Sequence, residues 1–261
     1  MNQGICLLAM AAMRAEPSHR SELVNQLLFG DIYKIVDKKG DWLFVCLAHD
    51  QYKGWIHSNQ AELLESDEFE LLKHAPHVFS ADLVQLLKNN TNNGYLMIGA
   101  GCKLYFYDNQ KVSLAGKVFE YPGQVTLPKK TTGELLANAS LFLDVPYLWG
   151  GRTPMGLDCS GLAQLIFLMS GFTLPRDASQ QALEGEDVHL ISAAKPGDLV
   201  FFGLPEKNIS HVGMIVGEGE LIHAYGRVRV DPVDHLGIFN KEMGKYTHYT
   251  RLVKRIVPAG H

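Results

Sequence analysis

The stretch LDCSGLAQLIFLMSG at residues 157–171 decides the fold of the C-terminal half of this 261-residue chain. Its apolar residues at positions 162, 165, 166 and 169 follow the spacing of a helix that packs one face on a core. Gly171 stands where a glycine commonly ends a helix. Cys159 therefore lies at the first turn, where free backbone N–H groups and the helix dipole favour a thiolate. This position predicts a lowered thiol pKa and a nucleophilic role.

Two histidines lie in the strands of a predicted hairpin further along the chain. Residues 211–216 and 221–225 read as strands, and residues 217–219 read as the loop between them. If residue 216 pairs with residue 220, His211 and His223 project from the same face as diagonal neighbours. A slip of one residue would send them to opposite faces. A cysteine at a helix start and two histidines on one face are typical of a thiol hydrolase, in which one histidine is the base and the other orients it.

The composition restricts the class of protein. Lys and Arg total 24, Asp and Glu total 28, and the net charge is −4. A nucleic-acid binder normally carries a basic face and a membrane-surface protein needs a polybasic patch, so neither partner is expected. The four cysteines form no CxxC pair, and we expect no metal and no cofactor. Cys6, Cys46 and Cys102 are expected to be buried thiols in strands.

The motifs of residues 131–261 resemble, in order, those of NlpC/P60 cysteine peptidases. They are Pro146-Tyr-Leu-Trp-Gly-Gly151, Leu157-Asp-Cys-Ser-Gly161, Leu174-Pro-Arg-Asp177, Pro196-Gly-Asp-Leu-Val-Phe-Phe202, His211-Val-Gly213 and His223-Ala224. The resemblance implies an α+β chain with a papain-like catalytic domain. It implies that Cys159 is the nucleophile, His211 the base and His223 the orienting residue.

The same resemblance gives roles to further residues. Tyr147 matches a tyrosine beside the family's oxyanion site, with simple aromatic packing as the alternative. Matching substrate-contacting positions are Asp158, Ser160 and Ser179, and Trp149 is expected to line the pocket. For Asp158 the alternative is a helix cap, and Arg176 could make a structural ion pair.

The first 130 residues are predicted to be rich in β structure. In residues 1–64, short strand-like runs at 5–13, 27–36, 42–46 and 52–56 resemble a small SH3-like (SH3b) barrel. Residues 65–130 are predicted to be a divergent second SH3b-like domain and a linker. There, residues 80–88 have the apolar spacing of a helix. In the linker, Thr132 is a candidate cap for a helix over 134–143.

An SH3b part before the peptidase domain is similar to the YkfC-like branch of the family. That branch implies hydrolysis of the γ-D-glutamyl–diaminopimelate bond in murein peptides with a free N-terminal L-alanine. A desolvated ammonium needs negative partners, and Asp158, Glu22 and Tyr52 are the candidates to surround it. Glu16 competes with Glu22 for this role.

Other functions remain open at this point. The same cysteine and histidines could serve an amidase, an acyltransferase or an endopeptidase acting on intact peptidoglycan. The chain could also be a wall-binding SH3b protein whose peptidase-like domain is inactive. A metal hydrolase and a serine hydrolase are disfavoured, because neither HExxH nor GxSxG occurs.

The apolar run at residues 5–13 is too short to cross a bilayer and has no basic residues before it. We therefore expect a cytoplasmic protein, or an exported one if a signal peptide was removed before this numbering begins.

Overall fold

The computed structural model describes residues 2–204, 206 and 208–258. The chain divides into two compact units. The N-terminal unit holds the residues up to Pro128 together with Trp149–Met155, and the C-terminal unit holds Lys129–Leu148 and the residues from Gly156 onward. The sequence predicted a continuous catalytic domain over 131–261, whereas Trp149–Met155, here named the strap, packs with the N-terminal unit.

The first sheet of the N-terminal unit is an SH3-like arrangement of seven strands. They are β1 (Gln3–Ile5), β2 (Met10–Arg14), β3 (Leu23–Leu28), β4 (Ile32–Lys39), β5 (Trp42–Leu47), β6 (Lys53–His57) and β7 (Glu62–Leu64), with a 3₁₀ turn at Ser58–Gln60. The strand order is β3-β2-β6-β5-β4-β1-β7. The predicted single strand over 5–13 is wrong, because the chain leaves the sheet after Ile5, where the N–H of Cys6 donates to the carbonyl of Asp31.

The rest of this unit consists of one helix and two small sheets. The elements are α1 (Ser66–His74), β8 (His77–Ser80), β9 (Gln85–Asn89), β10 (Gly94–Ile98), β11 (Lys103–Tyr105), β12 (Lys111–Leu114), β13 (Lys117–Glu120) and β14 (Val125–Thr126). The sheets have the orders β10-β9-β13-β12 and β11-β8-β14. The helix predicted over 80–88 is wrong. Leu87 is buried while its neighbour Leu86 is 50% exposed. Successive side chains here therefore point to opposite faces, as in a strand, although the apolar spacing indicated a helix.

The C-terminal unit places one buried helix against a mixed-length antiparallel sheet. Its elements are α2 (Thr132–Leu141), β16 (Gly156–Leu157), α3 (Cys159–Met169), α4 (Ala178–Gln181), β17 (Glu186–Asp187), β18 (Leu199–Phe202), β19 (His211–Gly217), β20 (Glu220–Tyr225), β21 (Arg227–Pro232), β22 (Gly237–Asn240) and β23 (Lys245–Arg255), with a 3₁₀ turn at Ile191–Ala193. The strand β15 (Arg152–Thr153) lies in the strap and belongs to the N-terminal unit. The sheet runs β17-β23-β18-β19-β20-β21, and β22 pairs with β23.

Helix α3 confirms the prediction from the opening stretch. Every residue of α3 is buried, and the helix packs on β19 and β20. It ends at Met169, and Gly171 follows the cap residue Ser170 with a φ of 92° that only glycine adopts easily. For α2, the capping residue is Thr131 rather than Thr132, because the Thr131 hydroxyl accepts the N–H of Glu134. Within the described residues, no helix is long and apolar enough to cross a membrane.

The strap is fixed by a fully buried arginine. The Nη1 of Arg152 lies 2.8 Å from Oδ2 of Asp31 and 3.0 Å from the carbonyl of Gln26. The Nζ of Lys103 lies 3.0 Å from the other Asp31 oxygen. Burial alone would raise the pKa of Asp31, but Arg152 and Lys103 hold it far below its ordinary value. At Gly150, φ is +74° and a Cβ would collide with the Leu23 carbonyl, so the strap needs glycine there.

Candidate active site

The hairpin of β19 and β20 has the register that the sequence predicted. Gly213 lies opposite His223, and Ile215 lies opposite Leu221. The loop is tighter than expected, since Gly217 pairs with Glu220 after a register shift. His211 and His223 therefore share one face of the sheet, as the hairpin argument required.

The two histidines form the first links of a buried chain of hydrogen bonds. The Nε2 of His211 lies 2.9 Å from Nδ1 of His223, and Nε2 of His223 lies 3.1 Å from Oδ2 of Asp231. Asp231 is on β21 and is held by Arg229, whose Nε and Nη2 lie 2.7 and 3.0 Å from its two oxygens. The order His211, His223, Asp231 gives the base both an orienting residue and a negative charge behind it.

These contacts fix the tautomer of each imidazole. The pKa of Asp231 lies below its ordinary value despite burial, because His223 and Arg229 bond to it. An ionised carboxylate only accepts, so Nε2 of His223 must carry its proton. Burial lowers the pKa of His223 although Asp231 acts in the opposite direction, so the ring is neutral and its Nδ1 accepts. The Nε2–H of His211 then donates to it, and Nδ1 of His211 keeps the lone pair that a general base needs.

Cys159 begins α3, whose first N–H groups are capped by Asp158. The Asp158 carboxylate accepts the N–H of Gly161 at 2.7 Å. The predicted low thiol pKa is wrong: burial, and then the charge of Asp158, raise the pKa of Cys159 to about 11. The backbone N–H groups of Val212 and Ser160 bond to the sulfur and favour the thiolate, but they do not outweigh burial.

The pKa of His211, the predicted base, is shifted in the opposite direction. Burial, together with the neighbouring rings of His248 and His223, lowers the pKa of His211 well below its ordinary value. Both shifts favour the uncharged forms, a neutral thiol at Cys159 and a neutral imidazole at His211.

Asp158 and Ser160, both predicted to contact substrate, are hydrogen-bonded to the buried side chain of Arg176. The Nη2 and Nη1 of Arg176 lie 2.6 and 2.9 Å from the two Asp158 oxygens. The same Nη1 lies 2.9 Å from the Ser160 hydroxyl, which donates to Asp158 at 3.2 Å. Both alternatives raised for these residues, a helix cap and a structural ion pair, are present. Ser179 lies exposed on α4.

Tyr147 lies close enough to Cys159, the predicted nucleophile, for their charges to interact. Burial, followed by the charges of Cys159 and Asp158, raises the pKa of Tyr147 to about 12. Its hydroxyl therefore keeps its proton at neutral pH and can donate to a developing negative charge. The peptide N–H of Tyr147 donates to the carbonyl of Gly226 and anchors this segment.

The structure brings the predicted N-terminal residue Glu22 together with Trp149, which was predicted to line the pocket. The indole Nε1 of Trp149 lies 2.6 Å from Oε1 of Glu22, and Trp149 is 59% exposed. Tyr52 instead packs against the apolar core of the SH3-like sheet. Glu16 is exposed, and its backbone N–H donates to the Ser21 hydroxyl.

Sequence reasoning missed Asp231, Arg229 and His248. The alternation Arg-Val-Arg-Val-Asp at residues 227–231 could have indicated a third strand after His223. No sequence pattern indicated His248, whose ring stacks on His211 at a centroid distance of 4.1 Å. Among the described residues, no group of three or more His, Cys, Asp or Glu side chains is arranged to hold a metal ion.

Two domain families match this chain. The NlpC/P60 family matches residues 144–247, and the bacterial dipeptidyl-peptidase SH3 domain matches residues 13–60.

Curated relatives match along most of the chain. It is 28% identical over 255 residues to a gamma-D-glutamyl-L-lysine dipeptidyl-peptidase of Bacillus cereus, covering 87% of this chain and 75% of that protein. It is 29% identical over 222 residues to the protein of the same name in Bacillus subtilis, covering 77% of this chain and 71% of that protein.

A solved structure shares the fold. An NlpC/P60 family protein from Bacillus cereus matches with a TM-score of 0.83 at 21% identity, covering 98% of this chain and 100% of that chain. Together with the buried Cys159 and its histidines, the two domain matches and the dipeptidyl-peptidase relatives lead to one conclusion: this chain combines a bacterial dipeptidyl-peptidase SH3 domain with an NlpC/P60 domain, and it is a cysteine peptidase.

Proposed function

We propose that this peptidase hydrolyses the γ-D-glutamyl–diaminopimelate bond of murein peptides that carry a free N-terminal L-alanine, as a step in recycling such peptides. The observation that carries the proposal is the set Cys159, His211, His223 and Asp231 in a chain whose relatives over most of its length are named gamma-D-glutamyl-L-lysine dipeptidyl-peptidases. Those relatives support the bond type. Diaminopimelate in place of lysine is our own assignment.

The geometry supports a two-stage reaction. As the sulfur of Cys159 attacks the γ-carbonyl carbon, its proton passes to Nδ1 of His211, and the carbonyl oxygen takes up the negative charge near the Tyr147 hydroxyl. The resulting imidazolium gives this proton to the leaving amine as the C–N bond breaks and a thioester forms. His211 then takes a proton from the water that attacks the thioester, and it returns this proton to the sulfur as the C–S bond breaks, which releases the acyl product and restores the thiol.

Recognition of the free amine is assigned to Glu22. A dipeptidyl-peptidase acts from the amino end of its substrate, and an ammonium removed from water needs a negative partner. Asp158 is already neutralised by Arg176, so its main contribution is to hold the start of α3. Glu22 has no ion pair among the described residues, and its bond to Trp149 orients its carboxylate.

An endopeptidase acting on peptidoglycan is the second candidate. A probable endopeptidase p60 of Listeria innocua is 44% identical over 90 residues, which is 34% of this chain. That higher identity lies in a short segment, whereas the dipeptidyl-peptidases match along most of the chain. The longer matches favour the first proposal.

The test is a comparison of two matched peptides. L-Ala-γ-D-Glu-meso-diaminopimelate and its N-acetyl form are incubated with the protein, and the products are read by mass spectrometry. We expect cleavage of the free peptide and rejection of the acetylated one by up to about 10⁴-fold, because a site built around a bonded group discriminates strongly against its absence. The L-lysine peptide tested in parallel identifies the preferred diamino acid.

Glu22→Gln should reduce the difference in cleavage rate between the free and the acetylated peptide. Glu16→Gln is the matched control. Equal cleavage of both forms, or efficient digestion of polymeric peptidoglycan, would favour the endopeptidase instead.

A further inference from the structure

A third histidine ring covers the face of the catalytic base. His248 lies on β23, opposite Ile238 of β22. Its ring is stacked on that of His211, with centroids 4.1 Å apart and planes 23° from parallel. His223 meets His211 from a different direction, since their rings lie 5.1 Å apart at 86°. One ring thus bonds the edge of the base while another covers its face.

The covering ring is itself held by aromatic neighbours. Tyr225 meets His248 edge-on, with centroids 4.9 Å apart at 89°, and Phe202 of β18 lies 6.2 Å away. The Nδ1 of His248 lies 2.9 Å from the Thr247 hydroxyl. These contacts come from β18 and β20 as well as from its own strand, so the ring cannot turn away from His211 without disturbing its neighbours.

The ring is uncharged when the enzyme works. Burial, and then the neighbouring His223, lower the pKa of His248 to about 4, although the charge of Asp231 acts in the opposite direction. Other titratable groups near this ring are His211 and Tyr225, whose rings contact it, and Arg229, which pairs with Asp231. A neutral ring can cover His211 near neutral pH without repelling the imidazolium that forms during the reaction.

We propose that His248 is a positioning residue for the base: its stacked ring holds the imidazole of His211 in the plane in which Nε2 bonds His223 and Nδ1 is left for the thiol, and it keeps water from that face. A single hydrogen bond at Nε2 leaves an imidazole free to rotate about that bond. A flat ring packed on its face removes this freedom. The proposal rests on the cysteine-peptidase chemistry of the site and is independent of which peptide is cleaved.

The test compares three replacements at one position. His248→Phe keeps a flat ring without titratable nitrogen, His248→Leu keeps volume without a flat face, and His248→Ala opens the face to water. The matched control is Tyr249→Phe, because Tyr249 is the next residue of the strand and its side chain is 53% exposed. Folding is checked by circular dichroism and thermal unfolding.

The first readout is the pH dependence of Cys159 alkylation by iodoacetamide, which needs no substrate. Removing the ring in His248→Ala should let water reach His211, so the pKa of His211 should rise toward its ordinary value. The part of the alkylation rate that increases as His211 loses its proton should then appear at higher pH. His248→Phe should leave that step in place. This readout remains valid if the proposed substrate is wrong.

The second readout is turnover of the peptide that the protein cleaves. We expect kcat to fall by about 10- to 100-fold in His248→Ala, with little change in KM, since small misplacements of a catalytic group have effects of this size. His248→Phe should recover most of that loss, and His248→Leu less.

Two results would overturn the proposal. One is a His248→Ala protein that is folded and keeps both the native alkylation profile and the native kcat. The other is a folded His248→Phe protein that loses as much as His248→Ala, which would show that a nitrogen, rather than the stacked ring, is what matters.

Discussion

At the scale of single residues, the nucleophile is distinguished by its neighbours rather than by a low pKa. Cys159 is 8% exposed, whereas Cys6 and Cys102 are 1% exposed, and burial raises the pKa of Cys102 to about 12. Iodoacetamide should therefore modify Cys159 before Cys6 and Cys102, as peptide mapping would show.

Cys159→Ser should fold normally and lose hydrolysis, because a hydroxyl is a far weaker nucleophile. A serine protein that keeps the native rate would refute the assignment.

The pH dependence follows from the two shifted pKa values. The active form has a protonated thiol and a neutral His211. It forms as pH rises through the pKa of His211, which lies well below 6.5, and is lost as pH rises through that of Cys159, about 11. We expect kcat/KM to stay high from mildly acidic to alkaline pH. An acid limb centred at or above pH 6.5 would contradict this burial-driven shift.

The proton positions in the His211–His223–Asp231 chain make Asp231→Asn informative. An asparagine amide can donate to Nε2 of His223, which would move the proton of His223 to Nδ1 and that of His211 to its own Nδ1. The base would then present a proton where it needs a lone pair. We expect a loss of roughly 10²–10⁴-fold in kcat, the range for removing a general base.

His223→Gln is the contrasting change, since its amide oxygen can still accept from Nε2 of His211. It should keep more activity than Asp231→Asn, and His211→Ala should lose the most. The reverse order between the first two, measured as kcat on one peptide, would refute the tautomers assigned here.

At the scale of elements, the ion pair of Asp31 and Arg152 ties the strap to the first sheet. Removing one member of a buried pair so that the other charge is uncompensated costs about 3–5 kcal/mol. Asp31→Asn leaves both Arg152 and Lys103 without a counter-charge and should lower the free energy of unfolding by at least this order in urea titrations. Arg152→Met should lower it by less, because Lys103 still pairs with Asp31. The double variant should lose less than their sum, and Lys129→Met, at an exposed lysine, is the control.

The same pair gives stability a defined pH dependence. The pKa of Asp31 is lower in the folded than in the unfolded chain, where it is about 3.9. Its contribution is therefore complete above about pH 4 and is lost as pH falls toward the folded-state pKa. Asp31→Asn should flatten the acid side of the stability curve.

Elements defined by local periodicity were predictable from the sequence. The stripe of α3, its glycine end and the register of the β19–β20 hairpin needed only spacing and turn chemistry. The helix predicted over residues 80–88 was wrong, because a short apolar run fits both the helix period and the strand period until its partner strand is known. Arg152 and Asp31 are 121 residues apart, and His248 reaches His211 only through the order of strands in the sheet. Local pattern carries no information on such contacts.

At the scale of the whole molecule, the catalytic residues lie in the C-terminal unit, whereas the strap needs the N-terminal unit to pack against. A fragment of residues 131–261 contains Cys159 and both histidines but lacks Glu22, Asp31 and the rest of the sheet that binds the strap. We expect limited proteolysis to cut this fragment within Trp149–Met155, while the full chain resists at the same peptide bonds, as mass spectrometry of the products would show. Equal resistance in both proteins would show that the strap is ordered without the N-terminal unit.

The strap lies inside the catalytic sequence but packs with the SH3-like unit. The N-terminal unit therefore cannot be exchanged for that of another protein at a single point in the sequence. Recombination at residue 128 would join a new N-terminal module to a strap shaped for the old one, leaving Arg152 without its carboxylate. A functional chimera must carry Trp149–Met155 together with the N-terminal unit, so two separated segments of the gene have to change as one.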